Sequence, residues 1–117
     1  IKHTDGNVMA IEKEFLEESG VDGYHPIDPG AGMDIGYIKD EYGHRLTLLG
    51  NVDCTSTLVH GSRQEIIDET ISIIKKAAPG GGFLLSSSNS IHSGIPAKNY
   101  LTMLEAAREY GCYPIAL

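Results

Sequence analysis

Tryptophan is absent from this 117-residue chain, and cysteine occurs only twice, at Cys54 and Cys112. No CxxC spacing exists, so a disulfide scaffold and a cysteine-rich zinc module are excluded. Basic side chains are scarce: 9 Lys and Arg stand against 16 Asp and Glu, a net charge of −7. A basic face for nucleic acid is therefore not expected. No apolar run approaches the roughly 20 residues that a membrane span needs. The chain opens Ile1-Lys2-His3-Thr4, with neither an initiating Met nor a signal peptide. That reads as a start within a strand, a segment of a longer chain, and a cytoplasmic location is expected. What remains is ordinary globular composition, 41% hydrophobic and 21% charged. It suffices for one domain with one core over residues 1–117. Five histidines and 14 glycines are the first pointers to a site.

Hydrophobic spacing divides the chain into four strand–loop–helix units. The first has a strand at Ile1–Thr4 and a helix near residues 8–19, where Val8, Ile11 and Phe15 share a face. Gly20 then closes the helix. The second has a strand around Val21–Ile27, a breaker-rich loop Asp28-Pro29-Gly30-Ala31-Gly32, and a helix near residues 33–42. The third strand, Arg45–Gly50, is nearly continuous in leucine, as suits a strand covered on both faces. The helix over residues 62–78 is the best signalled. Ser62-Arg63-Gln64-Glu65 is a capping box, and Ile67, Ile71, Ile74 and Ala78 make a stripe that Ile66 and Ile73 widen. The fourth unit has a strand at Gly82–Ser87 and a helix near residues 97–110, entered through Pro96. Leu101, Leu104 and Arg108 share a face of it, and the tail Cys112–Leu117 has the composition to begin another strand.

Strand and helix alternate, the α/β signature of a parallel sheet joined by right-handed crossovers. Neither GxGxxG nor GxxxxGK[ST] occurs, so the common nucleotide-binding open sheets lose support. A (β/α)8 barrel takes about 250 residues, and four units make half of one.

Parallel α/β folds bind ligands beyond the carboxyl ends of their strands. His3, Asp5 and Asn7 follow the first strand, His25 and Asp28 the second, Asn51 and Asp53 the third. Ser86, Ser87, Ser88, Asn89 and His92 follow the fourth. In a barrel these groups converge. His3 and Asp5, at i and i+2, project to one face, where they form an acid/base pair or ligate a metal. A zinc ion needs a third ligand, drawn by loop position from Asn89, His92 and His25. The three consecutive serines offer hydroxyl and backbone donors to an anion. Each residue also has a plainer role: His3 as a satisfied rim residue, Asp5, Asp28, Asn51 and Asp53 as turn or cap residues. His44 and His60 read as surface residues beside glycine, and Cys54 as a thiol without a stated activator.

The segments His3-Thr4-Asp5-Gly6-Asn7, Gly20-Val21-Asp22-Gly23-Tyr24-His25-Pro26-Ile27-Asp28-Pro29, Gly32-Met33-Asp34 and Leu49-Gly50-Asn51-Val52-Asp53 come in a familiar order. With Pro79–Ser88 and Ile95-Pro96-Ala97-Lys98-Asn99, they resemble the uroporphyrinogen decarboxylase family over nearly the whole chain. The resemblance implies the C-terminal part of a TIM-type barrel. It implies one of two chemistries: removal of acetate carboxyls from uroporphyrinogen, without a cofactor, or methyl transfer between a corrinoid protein and a thiol at a zinc ion. His3 falls at the methyltransferase histidine. Asp5 and Asn89 stand where its two cysteines would be, and Asn89 also stands where the decarboxylase usually has a histidine.

The expected function is methyl (one-carbon) transfer by the parent protein on a small-molecule substrate, with a corrinoid protein as partner. The expected catalytic residues are His3, Asp5, Asn51, Asp53 and Asn89. Substrate contacts are assigned to His25, Asp28, Ser86, Ser87 and Ser88, and a weakly held zinc to His3 and Asp5. The alternatives are porphyrinogen decarboxylation and a catalytically silent barrel segment that only assembles. Neither nucleic acid nor membrane is an expected partner. Four strands cut from a closed barrel leave two open edges, so an isolated chain is expected to form a homodimer or to pair with the missing barrel half.

Overall fold

A computed structural model describes all residues, 1–117. Four strands form one all-parallel sheet in the order β1-β2-β3-β4: Lys2–His3, Gly23–His25, Thr47–Val52 and Phe83–Ser87. Sequential order without a reversal is what distinguishes a barrel arc from an open doubly wound sheet, whose strand order switches direction. Four consecutive βα units thus make half of a (β/α)8 barrel. The helical layer has a 3-10 and π-helical segment after β1, α1 (Ile35–Tyr42) after β2, α2 (Thr57–His60) and α3 (Arg63–Ala77) after β3, and α4 (Ala97–Tyr110) after β4. No helix is long and apolar enough to cross a membrane.

The sheet divides the side chains between two faces. Tyr24, Leu48 and Val52 point to the helices and join a core of 18 buried residues with Leu16, Ile38, Leu58, Ile66 and Met103. The opposite, concave face carries Ile1, Leu49 and Leu84 in its lower layer, with Ile1 78% and Leu84 55% exposed. His3 and His25, paired in register, stand in the layer above, toward the carboxyl ends.

The capping box forms as read: the Ser62 hydroxyl accepts from the Glu65 N–H at 3.3 Å, and Glu65 Oε2 accepts from the Ser62 N–H at 2.7 Å. The Ser62 N–H donating to the carboxylate, with the Ser62 side chain beside it, lowers the Glu65 pKa. Ser62→Ala is expected to cost about 1 kcal/mol, read as a lower thermal midpoint with unchanged secondary structure.

Several boundaries differ from the sequence reading. The first helical segment is not a regular α-helix over residues 8–19 but a 3-10 turn, Met9–Ile11, that runs into a π-helical turn, Glu14–Glu18. Arg45 draws off its terminal carbonyls: Nη1 donates to Leu16 O at 2.6 Å and Nη2 to Glu17 O at 3.3 Å. Leu16 enters the core, while Ile11, expected on the buried face, is exposed. Strand β3 begins two residues later than expected, because Arg45 and Leu46 still donate to Tyr42 O at the end of α1. Strand β2 is shorter because Pro26, which has no N–H, follows it.

In α3 the buried stripe is Ile66, Thr70, Ile73, Ile74 and Ala77, with Ala78 just beyond. Of the expected row, Ile74 and Ala78 are buried with the flanking Ile66 and Ile73, while Ile67 and Ile71 are only half-buried. In α4 the buried face is Asn99, Thr102, Met103 and Ala106, and Leu101 is exposed. The helix turns this way because Asn99 Nδ2 donates to Leu58 O at 3.0 Å, satisfying a carbonyl of α2. The tail Cys112–Leu117 is not a strand. The Tyr113 hydroxyl donates to Ala78 O at 2.7 Å, which draws the tail over the end of α3.

Candidate functional site

The first, second and fourth strand ends build one polar network. His3 Nδ1 and His25 Nδ1 lie 2.7 Å apart, with ring centroids at 4.8 Å. The other nitrogen of His25, Nε2, lies 3.2 Å from the Ser87 carbonyl oxygen. His3 Nε2 lies 3.5 Å from Asp5 Oδ1. Asn89 Nδ2 donates to that same oxygen at 3.0 Å. The orientation of the Asn89 amide is fixed independently: the Ser90 N–H donates to Asn89 Oδ1 at 2.7 Å, so only the NH2 group can face Asp5. The Ser87 hydroxyl donates to the Asn89 carbonyl at 2.6 Å and holds the loop backbone. His3 and Asp5 are about half exposed, 50% and 54% at the side chain, so the network opens to the rim.

Asp28 stands beside this network. One of its oxygens accepts from the Gly6 N–H and the other from the Gly30 N–H, both at 2.9 Å, tying the first rim loop to the second. Asn51 lies beneath, buried, and donates from Nδ2 to Ile27 O at 2.7 Å. It pins the one non-glycine residue with positive φ, Ile27 at 57°. Asp53 is placed elsewhere: its Oδ1 accepts from the N–H groups of Thr55 and Ser56 and from the Thr55 hydroxyl, which is a turn. Ser88 is buried against Cys54, accepting from its N–H at 3.1 Å. The Ser86 hydroxyl donates to its neighbour's carbonyl at 3.0 Å. His92 Nδ1 accepts from the Gly94 N–H, so its Nε2 donates to Cys54 O at 3.1 Å and is not available to the network. Of the residues singled out from sequence, His3, Asp5, His25, Ser87 and Asn89 are thus brought together, with Asp28 adjacent.

Tyr24 escaped the sequence reading. It sits behind His25 on the helix face, fully buried, its ring edge-on to Phe15 with centroids 5.2 Å apart. Its hydroxyl has no hydrogen-bond partner. Burial, and then the charges of Asp28 and Asp5, push its pKa up to about 12. A phenol whose folded pKa exceeds the unfolded 10.0 holds its proton more tightly when folded. Its stabilising contribution is complete below pH 10 and is lost as pH rises toward 12, by roughly 2–3 kcal/mol. Tyr24→Phe is expected to be neutral or stabilising at pH 7, since no hydrogen bond is lost. Denaturant unfolding of both proteins at pH 8 and pH 11 should show a shallower alkaline loss in the variant.

A catalytic zinc takes three protein ligands and one open position. His3 Nε2 and Asp5 Oδ1 supply two donors. The third is missing: Asn89 turns its NH2 toward Asp5, and His25 Nδ1 is bonded to the far nitrogen of His3. No group of three or more His, Cys, Asp or Glu side chains is arranged to hold a metal ion. The residues of this chain therefore do not fit a zinc ion by themselves.

Four sequential parallel βα units with a polar cluster on the carboxyl rim define a (β/α)-barrel segment. The family model "Uroporphyrinogen decarboxylase (URO-D)" matches residues 1–110, and the chain belongs to that family. A curated relative, the uroporphyrinogen decarboxylase of Alkalilimnicola ehrlichii, is 27% identical over 84 residues, covering 68% of this chain and 22% of the relative. The solved structure of a methyltransferase from Methanosarcina mazei shares the fold with a TM-score of 0.78 and 24% identity. That match covers 94% of this chain and 31% of the methyltransferase. The chain spans less than a third of the length of either protein.

Proposed function

We propose that this chain supplies the proton-handling part of the rim site of a methyl (one-carbon) transferase. The observation that carries the reading is the placement of His3 Nε2: it faces the open rim beside Asp5 while Nδ1 is engaged below by His25. A methyl acceptor such as a thiol must lose a proton as it becomes the nucleophile. A rim imidazole takes that proton, and the carboxylate at 3.5 Å stabilises the imidazolium formed. A corrinoid protein is the methyl-donating partner in this reading. Asp28 shapes the rim through the two loops it ties together, and His25 and Asn89 hold His3 and Asp5 in place. The apolar lower layer of Ile1, Leu49 and Leu84 is the face that further barrel strands cover, supplied by a second copy or by the other barrel half.

The second reading, decarboxylation of a porphyrinogen, is favoured by the curated relative's activity. It uses the same imidazole in the opposite direction, to protonate the carbon that has lost carbon dioxide. The deciding experiment uses the full-length parent protein with methylcobalamin and a panel of thiols, and separately with uroporphyrinogen. Thiol-dependent demethylation of the cobalamin supports the first reading. Release of carbon dioxide from uroporphyrinogen in its place supports the second. Turnover in neither assay leaves the third, a silent segment that assembles.

A further inference from the structure

The two histidines that meet at the rim differ in what their outer nitrogens face, and that difference fixes where every ring proton sits. The Ser87 carbonyl oxygen only accepts hydrogen bonds. His25 Nε2, at 3.2 Å from it, therefore carries a hydrogen and donates. A neutral imidazole has one N–H, so Nδ1 of neutral His25 is a bare acceptor. It faces His3 Nδ1 at 2.7 Å, and two bare nitrogens would repel at that distance. His3 Nδ1 must then carry the hydrogen and donate. Neutral His3 is left with its only lone pair on Nε2, the nitrogen at the open rim.

We infer that His25 is a positioning residue that sets the tautomer of His3, so that Nε2 is the nitrogen that takes and returns the reacting proton. The inference rests on the reading of His3 as the rim proton acceptor and adds which nitrogen acts and what compels it. Without His25, neutral His3 has a reason to hold the opposite tautomer, because Asp5 Oδ1 lies 3.5 Å from Nε2 and accepts from an N–H there. That tautomer turns the rim nitrogen from an acceptor into a donor already committed to Asp5. With His25 present the order of events is reversed. The lone pair on Nε2 takes a proton from an acceptor substrate X–H, and X keeps the bonding pair. The new N–H then points at Asp5, whose negative charge stabilises the imidazolium. On return of the proton, the N–H of Nδ1 remains with His25 and the starting tautomer is recovered.

The second partner of His25 is main chain, so no side-chain titration can reverse its orientation. Ser87 lies in β4, whose residues from Phe83 onward pair in register with β3. The tautomer of a residue in β1 is thus set across the sheet by the backbone of β4, through one imidazole from β2.

The test is long-range proton–nitrogen NMR of the full-length protein with nitrogen-labelled histidine, recorded as the pH is raised until the ring nitrogen shifts no longer change. The expected spectrum shows His25 protonated at Nε2 and His3 protonated at Nδ1. In His25→Ala, His3 is expected to switch to the Nε2–H form. In His25→Gln, whose amide oxygen can accept from His3 Nδ1, the Nδ1–H form should return. A wild-type His3 protonated at Nε2, or a His3 tautomer unmoved in His25→Ala, overturns the inference. Should His25→Ala fail to fold, the wild-type and His25→Gln spectra still decide it. The spectrum involves no turnover, so a failure of the methyl-transfer reading leaves this result standing, and the converse also holds.

Discussion

His3→Gln in the full-length protein is expected to lower turnover by about 10²–10⁴-fold, the range that a positioned acid or base contributes. That corresponds to roughly 3–5 kcal/mol of barrier. Glutamine keeps a polar side chain on β1 but cannot take up a proton near neutral pH. Asp5→Asn should lose less, about tenfold, because the amide still meets Asn89 but no longer stabilises a positive His3. The two effects should be far from additive, since Asp5 acts through the charge on His3. The measurement is kcat with substrate saturating, for both single variants and the double variant. Equal activity of His3→Gln and wild type would remove His3 from the chemistry.

Gly50→Ala is expected to be the most destabilising small substitution in the sheet. Gly50 has φ of 141°, a region that L side chains rarely adopt, and a Cβ there would collide with the Pro26 carbonyl oxygen. The obstacle is backbone, not the free end of a side chain, so it has little room to yield. Strain and overpacking together should cost about 3 kcal/mol or more. Gly80→Ala is the control. Its φ is 78°, but a Cβ there meets nothing within 4 Å, so only the backbone penalty of about 1–2 kcal/mol applies. The denaturant midpoint of Gly50→Ala should fall the further of the two, by the collision and by its more restricted backbone region together. Because Pro26 follows His25 directly, Gly50→Ala should also disturb the spacing of the His3–His25 pair.

The alternation of strand and helix was legible because each helix carried its own end signal. Ser62 and Glu65 announce α3, Pro96 announces α4, and glycines or prolines close them; these are local interactions of the backbone with nearby residues. The rotation of each helix about its axis was not legible to the residue. Leu101 is as apolar as Met103, yet Asn99 bonds to the Leu58 carbonyl, 41 residues away, and that bond turns Leu101 outward. The first helical segment misled for the same reason: its spacing suits an α-helix, but Arg45, far along the chain, captures its last carbonyls.

The site divides in the same way. Order along the chain suffices to place His3, Asp5, His25, Asp28 and Asn89 on one rim, because strand ends of a parallel sheet share a side. It does not distinguish Asp53, which closes its own turn, from Asp5, which meets Asn89 across 84 residues. Nor does it reveal Tyr24, which resembles any strand aromatic until its hydroxyl is found buried without a partner. The sequence by itself determined the four βα units, their parallel pairing and the family, since periodicity, caps and motif order are local and cumulative. The tertiary structure alone decided which polar groups touch and which ring nitrogen faces the rim. Hydrogen bonds act over about 3 Å, and only the pairing of all four strands in one sheet, with β3 between β2 and β4, brings those atoms within that distance.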